Sequence, residues 1–148
     1  MEIRLLGPVA PPGTPKLRCV LAVLALEVNR VVPVDSIVDR VWNDDPPPTA
    51  RAVLQTYVAR LRNVLGAEIT YRSGGYVLSV AADSVDLHRF RRLRDEDELD
   101  EALELWHGEP LGGLDGDWAC RMRDVLRAEH LAAVRLRLDA QLASGDDR

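Results

Sequence analysis

Aromatic residues are scarce in this chain of 148 residues: three Trp, three Tyr and one Phe make up only 5% of it. A core built on stacked rings is excluded, and Leu, Val and Ala must supply most of the buried surface. Cysteine is nearly absent. Cys19 and Cys120 lie far apart without paired spacing, which rules out a disulfide framework and leaves two structural thiols. The three histidines, His88, His107 and His130, are scattered with no HExxH or other ligand-like spacing. Neither GxGxxG nor GxxxxGK occurs, so no phosphate-cradling loop is expected. The acidic run DEDELDE, Asp95 to Glu101, lacks the alternating Asp/Asn–Gly register of a calcium loop and reads as a solvated helix start. No catalytic constellation, metal site or cofactor follows from these residues, and an enzyme is not expected. No apolar run approaches the about 18 residues that span a bilayer. The opening MEIRLLGPVAPPG breaks too early for a secretory leader, so a cytoplasmic protein without a membrane partner is expected.

What is present is a globular balance of 47% hydrophobic and 29% charged residues, in a length that suits one ordinary domain or two small ones. A net charge of −5 argues at first against a polyanionic partner. The charge is unevenly spread, however. Residues 1–80 carry nine basic and seven acidic side chains, a net of +2, whereas residues 81–148 carry ten basic and seventeen acidic, a net of −7. The halves are electrostatically different objects, and whole-chain charge is the wrong quantity for judging partners.

Glu2 to Leu6 is short and partly alternating, as suits an edge strand, and Gly7, Pro8, Pro11, Pro12 and Gly13 break it. Thr14 followed by Pro15 starts a helix, with a capping hydroxyl and then a residue of preset φ. Val20, Leu21, Leu24 and Val28 recur at helical spacing and predict a first helix over about Pro15 to Glu27. Val31 to Val34 is a brief extended link. Pro33 and Asp35 open a second helix with the face Ile37, Val38, Val41 and Trp42, and the prolines Pro46 to Pro48 forbid its continuation. Thr49 suits the N-cap of a third helix, from Ala50 to about Leu65, stopped by Gly66 and buried along Leu54, Val58, Leu61 and Leu65. The period then changes. Glu68 to Arg72 and Tyr76 to Val80 are β-rich runs around Ser73-Gly74-Gly75, the pattern of a hairpin. Helix, link, helix, proline loop, helix, hairpin is the order of a winged helix-turn-helix. Beyond Ala81 the chain reads helical, with stripes Trp118, Met122, Val125 and Leu131, Val134, Leu138, Leu142. A composition shift at Ala81–Asp83 divides a winged-helix domain (1–81) from a helical domain (82–148). The fold class is mainly α with a small β element.

With its stripe turned inward, the third helix presents Thr56, Ala59, Arg60 and Asn63 outward, flanked by Arg51, Gln55 and Arg62. A helix entering a DNA major groove needs this mixture. Arginine suits guanine edges or phosphates, Gln or Asn suits adenine, and small side chains fit where backbone and base approach closely. An ordinary solvated helix fits the periodicity equally well, because exposed arginine is common. The hairpin shifts the balance. Arg72 beside Ser73-Gly74-Gly75 places a cation at the tip of a narrow ribbon, suited to a phosphate or an adjacent minor groove. Trp42 can pack its ring in the core while its indole N–H faces a phosphate.

The stretch NRVVPVDSIVDRVWNDDPPPTARAVLQTYVARLRNVLG, followed by YRSGGYVLSV, resembles the OmpR-like winged helix of the Streptomyces antibiotic regulatory proteins. VDLHRFRRL, ALELWHGEPLGGL and WACRMRDVLRAEHLAAVRLRLDAQLASG resemble the start of that family's bacterial transcriptional activation domain, an antiparallel helical array related to tetratricopeptide repeats. The resemblance covers most of the chain from Pro15 to Gly145. It implies a transcriptional activator that binds tandem direct repeats of double-stranded DNA at promoters, those of antibiotic biosynthesis above all. The protomers would lie side by side as a homodimer on DNA, recruit RNA polymerase through its sigma factor, and associate with the nucleoid. The resemblance implies that Thr56, Ala59, Arg60 and Arg62 face bases and phosphates, that Trp42 and the proline loop meet backbone or polymerase, and that Arg72, Ser73, Gly74 and Gly75 form the wing. With Thr49, Arg51, Gln55 and Asn63 from the helix itself, these are the DNA-facing candidates. Asp44, Asp45, Pro46 and Pro47 become polymerase-contact candidates, since two acidic residues suit a basic protein surface better than DNA. The family has a longer N-terminal sheet than GPVAPPGTP allows, and more repeat-like helices beyond Gly145, so a shortened form is expected. The alternative is a protein–protein adaptor in which the acidic helical half binds and the winged helix serves as scaffold.

Overall fold

Thr14 and Pro15 start α1 (Pro15–Leu26) as their chemistry dictates: the Thr14 hydroxyl accepts the Leu17 N–H at 3.3 Å, and Pro15 takes the first turn. The computed structural model describes residues 2–144. After α1 it shows β1 (Val32–Pro33), α2 (Val34–Trp42), α3 (Ala50–Leu65), β2 (Glu68–Arg72) and β3 (Gly75–Ser79). A 3₁₀ turn (Ala82–Ser84), α4 (Asp86–Asp95), α5 (Leu99–Leu103) and α6 (Asp117–Ser144) follow. The strands form one antiparallel sheet in the order β1-β3-β2, with Val32 opposite Tyr76 and Tyr71 also opposite Tyr76 on the other side. This is a winged helix followed by a helical array, the mainly α fold that the sequence predicts.

The periodicity of α1 suggests one apolar face, yet Cys19 through Ala25 are buried without interruption. The helix is enclosed. It packs on α2, α3 and β3, and His88 of α4 closes the remaining side with Nε2 at 2.8 Å from the Ala25 carbonyl. Asn29, at φ 65°, pins the end of this turn to the wing: its side chain exchanges two hydrogen bonds with the Val80 backbone, at 3.0 and 3.3 Å. Cys19 is buried, and desolvation pushes its thiol up to about 11, so it is inert packing. Cys120 is exposed and is not the structural thiol expected.

Glu2 to Leu6 is not an edge strand. Ile3, Leu5 and Leu6 are fully buried, and the segment makes only isolated bridges, one of them from Ile3 to Val85. Its backbone is held instead by the second half of the chain. The Ile3 N–H donates to Ser84 O at 2.7 Å, the Leu5 and Leu6 N–H groups donate to the Asp86 carboxylate at 2.7 and 3.1 Å, and His107 and Leu111 donate to Leu6 O and Leu5 O. Apolar residues at 3, 5 and 6 do not alternate, because this segment is covered on both sides.

Three further expectations change. The chain beyond Ala81 is not helical throughout: residues 104–116 form a loop, clamped by Arg123, which donates to the carbonyls of Pro110, Leu111 and Leu114 at 2.9, 2.8 and 2.7 Å. DEDELDE is a helix start only in its second half: Asp95 ends α4, the chain turns at Asp97 (φ 62°), and Leu99 to Glu101 form the first turn of α5. On α6 the buried residues are Trp118, Ala119, Leu126 and Ala133, while Val125, Leu131, Leu138 and Leu142 are exposed. A long helix packed on one side at its start leaves part of any apolar pattern in water. Most of the few rings are paired; in the second half Trp106 stacks on His130 with centroids 4.1 Å apart and meets Phe90 edge-on at 5.2 Å.

Burial, helped by Arg91 and Arg30, holds the His88 imidazole below its ordinary value, and burial does the same to His130. A group whose folded value is depressed supplies stability above the unfolded value of about 6.5 and loses it as pH falls through the folded value. Thermal stability is therefore expected to decline as pH drops below about 6.5. In His88→Leu that decline should be shallower, read by melting curves at a series of pH values. An unchanged slope would show that His88 is not the titrating group.

Candidate nucleic-acid interface

α3 is the element that the rest of the winged helix supports. Leu54, Val58, Leu61 and Leu65 are buried at 0–5% exposure, and Gly66 at φ 60° ends the helix, its N–H bonded to Arg62 O. Thr49 does not cap it: its backbone is not extended and its side chain makes no capping bond. At 100° per residue, the face opposite the stripe carries Ala52, Thr56, Ala59 and Asn63, all exposed. Ala52 is absent from the sequence-based set, although the same spacing places it there. The Thr56 hydroxyl donates back to Ala52 O at 3.3 Å.

The arginines divide between two flanks of that face. Arg60 lies on the flank away from the hairpin, exposed and with no ion pair or side-chain hydrogen bond among the described residues. Arg51, Gln55 and Arg62 lie on the other flank and line a cleft of about 420 Å³ between α3 and the hairpin, together with Tyr71 and Tyr76. Tyr71 is 61% exposed and rests edge-on against Tyr76 at 5.4 Å. Strand alternation through Ile69 and Tyr71 points to this face, but a β-rich run gives no reason to separate one Tyr from another.

Two of these cations are already engaged. Arg62 Nε donates to the Ile69 carbonyl at 2.7 Å, binding α3 to β2, so part of its fork is committed to the fold. Arg51 pairs with Asp35 at 2.7 Å, with both side chains mostly exposed. A surface pair of this kind contributes about 0–1 kcal/mol and exchanges readily for another anion.

The hairpin turn is shorter than expected. Ser73 and Gly74, at φ 53° and 78°, form a two-residue connection with left-handed backbone at both positions, and Gly75 is the first residue of β3. Arg72, Ser73 and Gly74 are exposed at the tip. Gly75 is buried, and a Cβ there would lie 2.2 Å from Val32 O, so it serves the close approach of β1 rather than any ligand. Trp42 is half-buried and stacks on Tyr57 at 6.3 Å. The loop after α2 exposes Asp44, Asp45 and Pro46, with Pro47 half-buried. Asn43 precedes them and was not singled out by sequence: its side-chain oxygen accepts the Asp117 N–H at 3.2 Å, anchoring this loop to the start of α6.

Comparison with known proteins agrees with this geometry. Residues 11–78 match the family described as transcriptional regulatory protein, C terminal, and residues 84–148 match the bacterial transcriptional activator domain. The regulatory protein AfsR of Streptomyces coelicolor is 34% identical over 94% of this chain, and the regulatory protein DnrI of Streptomyces peucetius is 31% identical over 98%. The structure of Mycobacterium tuberculosis EmbR in complex with a low-affinity phosphopeptide superimposes on 96% of the chain with a TM-score of 0.85 and 30% identity. The chain spans 16% of that AfsR, 66% of DnrI and 45% of the EmbR chain.

Proposed function

Because the chain belongs to the family of bacterial transcriptional regulators that join an OmpR-like winged helix to a bacterial transcriptional activator domain, we propose that it is a sequence-specific double-stranded DNA-binding activator whose α3 enters the major groove. The observation that carries this reading is the outward face of α3: Ala52, Thr56, Ala59 and Asn63 are small or amide-bearing, and the unengaged Arg60 borders them. Arg72 at the hairpin tip then meets a neighbouring phosphate or minor groove. Arg51 leaves Asp35 for a phosphate, and Arg62 adds charge through the nitrogens that Ile69 O does not hold. Gln55 and Tyr71 line the space between helix and wing.

In this reading tandem direct repeats are bound by side-by-side protomers, and the acidic loop at Asp44 and Asp45, with Pro46 and Pro47, faces RNA polymerase and its sigma factor. The acidic second half suits a protein surface better than a duplex. A cytoplasmic, nucleoid-associated location follows from such a role. The exposed leucines of α6 favour one second reading, an adaptor that captures protein partners through its helical half.

Selection of bound duplexes from a random pool tests the proposal, and recovery of a spaced direct repeat is the expected result. Affinity for it should fall steeply with salt, as bound cations release counterions. Arg60→Ala is expected to cost about 1–3 kcal/mol and to relax preference at one base position, measured against single-base variants of the selected site. Arg72→Ala should weaken all duplexes evenly. Absence of duplex binding at low salt, with partner capture retained, would favour the adaptor.

A further inference from the structure

Outside the α3 surface, one cavity stands at the seam between the two halves of the chain. It is about 280 Å³ and is lined by Arg4, Gly7, Pro8, Val9, Pro12 and Arg18, with Ala10 and His107 completing the wall. Its frame is tied by backbone hydrogen bonds: His107 N–H to Leu6 O at 2.7 Å, Gly112 N–H to Gly7 O at 3.0 Å, and Val9 N–H to Gly112 O at 3.2 Å. A cavity held this way needs no ordering before a ligand enters.

Its chemistry is lopsided. No carboxylate lines it. Arg4 has a partner in Glu2 at 3.0 Å. Arg18 has none: it forms no ion pair among the described residues, and its Nε is buried without a hydrogen-bond acceptor. Its guanidinium lies against the Gly113 backbone, where a Cβ would come within 2.7 Å of Nη1. The Nε has almost no accessible surface, so a ligand in the cavity must use the Nη nitrogens of a cation that lacks a counter-charge, and a poorly hydrated charge without one is costly. Pro8, Val9, Ala10 and Pro12 supply an apolar wall, beside His107.

We propose that this cavity is a binding site for a small monocarboxylate with a short apolar body, its carboxylate received by Arg18. A guanidinium edge matches two carboxylate oxygens, and the prolines, Val9 and Ala10 receive the hydrocarbon. The volume falls just below the range of about 300–1,000 Å³ that holds drug-sized ligands, so the ligand is small. Its place between the N-terminal segment and the 104–116 loop lets it touch both halves of the chain at once. None of this depends on DNA binding.

The test uses the full chain without DNA, titrated with benzoate and with hexanoate while arginine Nε–H signals are followed by NMR and heat by calorimetry. Saturable binding of at least one carboxylate, with the Arg18 Nε–H signal moving and the neutral amides benzamide and hexanamide failing to bind, is expected. Arg18→Met should weaken binding about tenfold or more, the loss expected when charge-assisted hydrogen bonds go. Ala10→Leu, which fills the cavity and leaves the Arg18 charge in place, should abolish binding and serves if Arg18→Met does not fold. Equal binding of acids and amides overturns the carboxylate assignment. So does inorganic phosphate that moves Arg4, Arg18 and Arg72 signals alike. No saturable binding by either acid overturns the site.

Discussion

Gly75→Ala is expected to lower stability by about 3 kcal/mol, at the upper end of what overpacking costs, because the new methyl has nowhere to go. Its Cβ would sit 2.2 Å from Val32 O and 2.7 Å from Val32 C, both backbone atoms of the neighbouring strand. β1 must then leave β3. At about 2–4 °C per kcal/mol for a chain of this size, the melting temperature should fall by roughly 6–12 °C. Gly74→Ala separates close approach from backbone conformation. Gly74 has φ 78° but open space around its Cβ, so only left-handed strain of about 1–2 kcal/mol applies. Equal melting temperatures for the two variants would show that the contact with Val32 yields freely. The Gly75 variant should also lose DNA affinity, since β1 positions the sheet that carries the Arg72 tip.

Asp86→Ala is expected to cost about 3 kcal/mol by a different route. The 2%-exposed Asp86 carboxylate accepts the Leu5 and Leu6 N–H groups, and both become buried donors without acceptors when it is removed, at about 1–3 kcal/mol each. Release from a buried charge offsets part of that cost, since desolvation outweighs the backbone hydrogen bonds and raises the carboxyl above its ordinary value. Amide exchange reads the result directly: Leu5 and Leu6 should exchange fast in the variant and slowly in the parent. Wild-type protection at both amides would assign their anchoring to His107 and Leu111 instead. The sign of the pH effect is also set. A raised acid supplies stability below its unfolded value of 3.8 and loses it as pH rises through the folded value, so Asp86→Asn should remove that acid-side component.

Both variants report on residues whose role the sequence conceals. Ser73-Gly74-Gly75 reads as one flexible tip, since each glycine permits the same backbone, and nothing local reveals that Val32 approaches Gly75 from 43 residues upstream. Asp86 reads as one more charge in an acidic half. Arg62 reads as a DNA contact by its position on the helix, and only the placement of β2 commits its Nε to Ile69 O. The α6 stripe of Leu131, Leu138 and Leu142 has the spacing of a buried face, but spacing does not say whether another element arrives to cover it.

By itself the sequence determined the extent of α3, its inward stripe, its outward small and polar face, and the hairpin that follows. Those features rest on a 3.6-residue period, on Gly66 and on turn chemistry, which are properties of neighbours along the chain. Tertiary structure alone decided that Ile3, Leu5 and Leu6 bind the two halves together, which arginines remain unengaged, and that Arg18 lines a cavity with no ion pair of its own. Each of those depends on which segments meet after collapse, and burial and hydrogen-bond partners are set by that meeting rather than by local order.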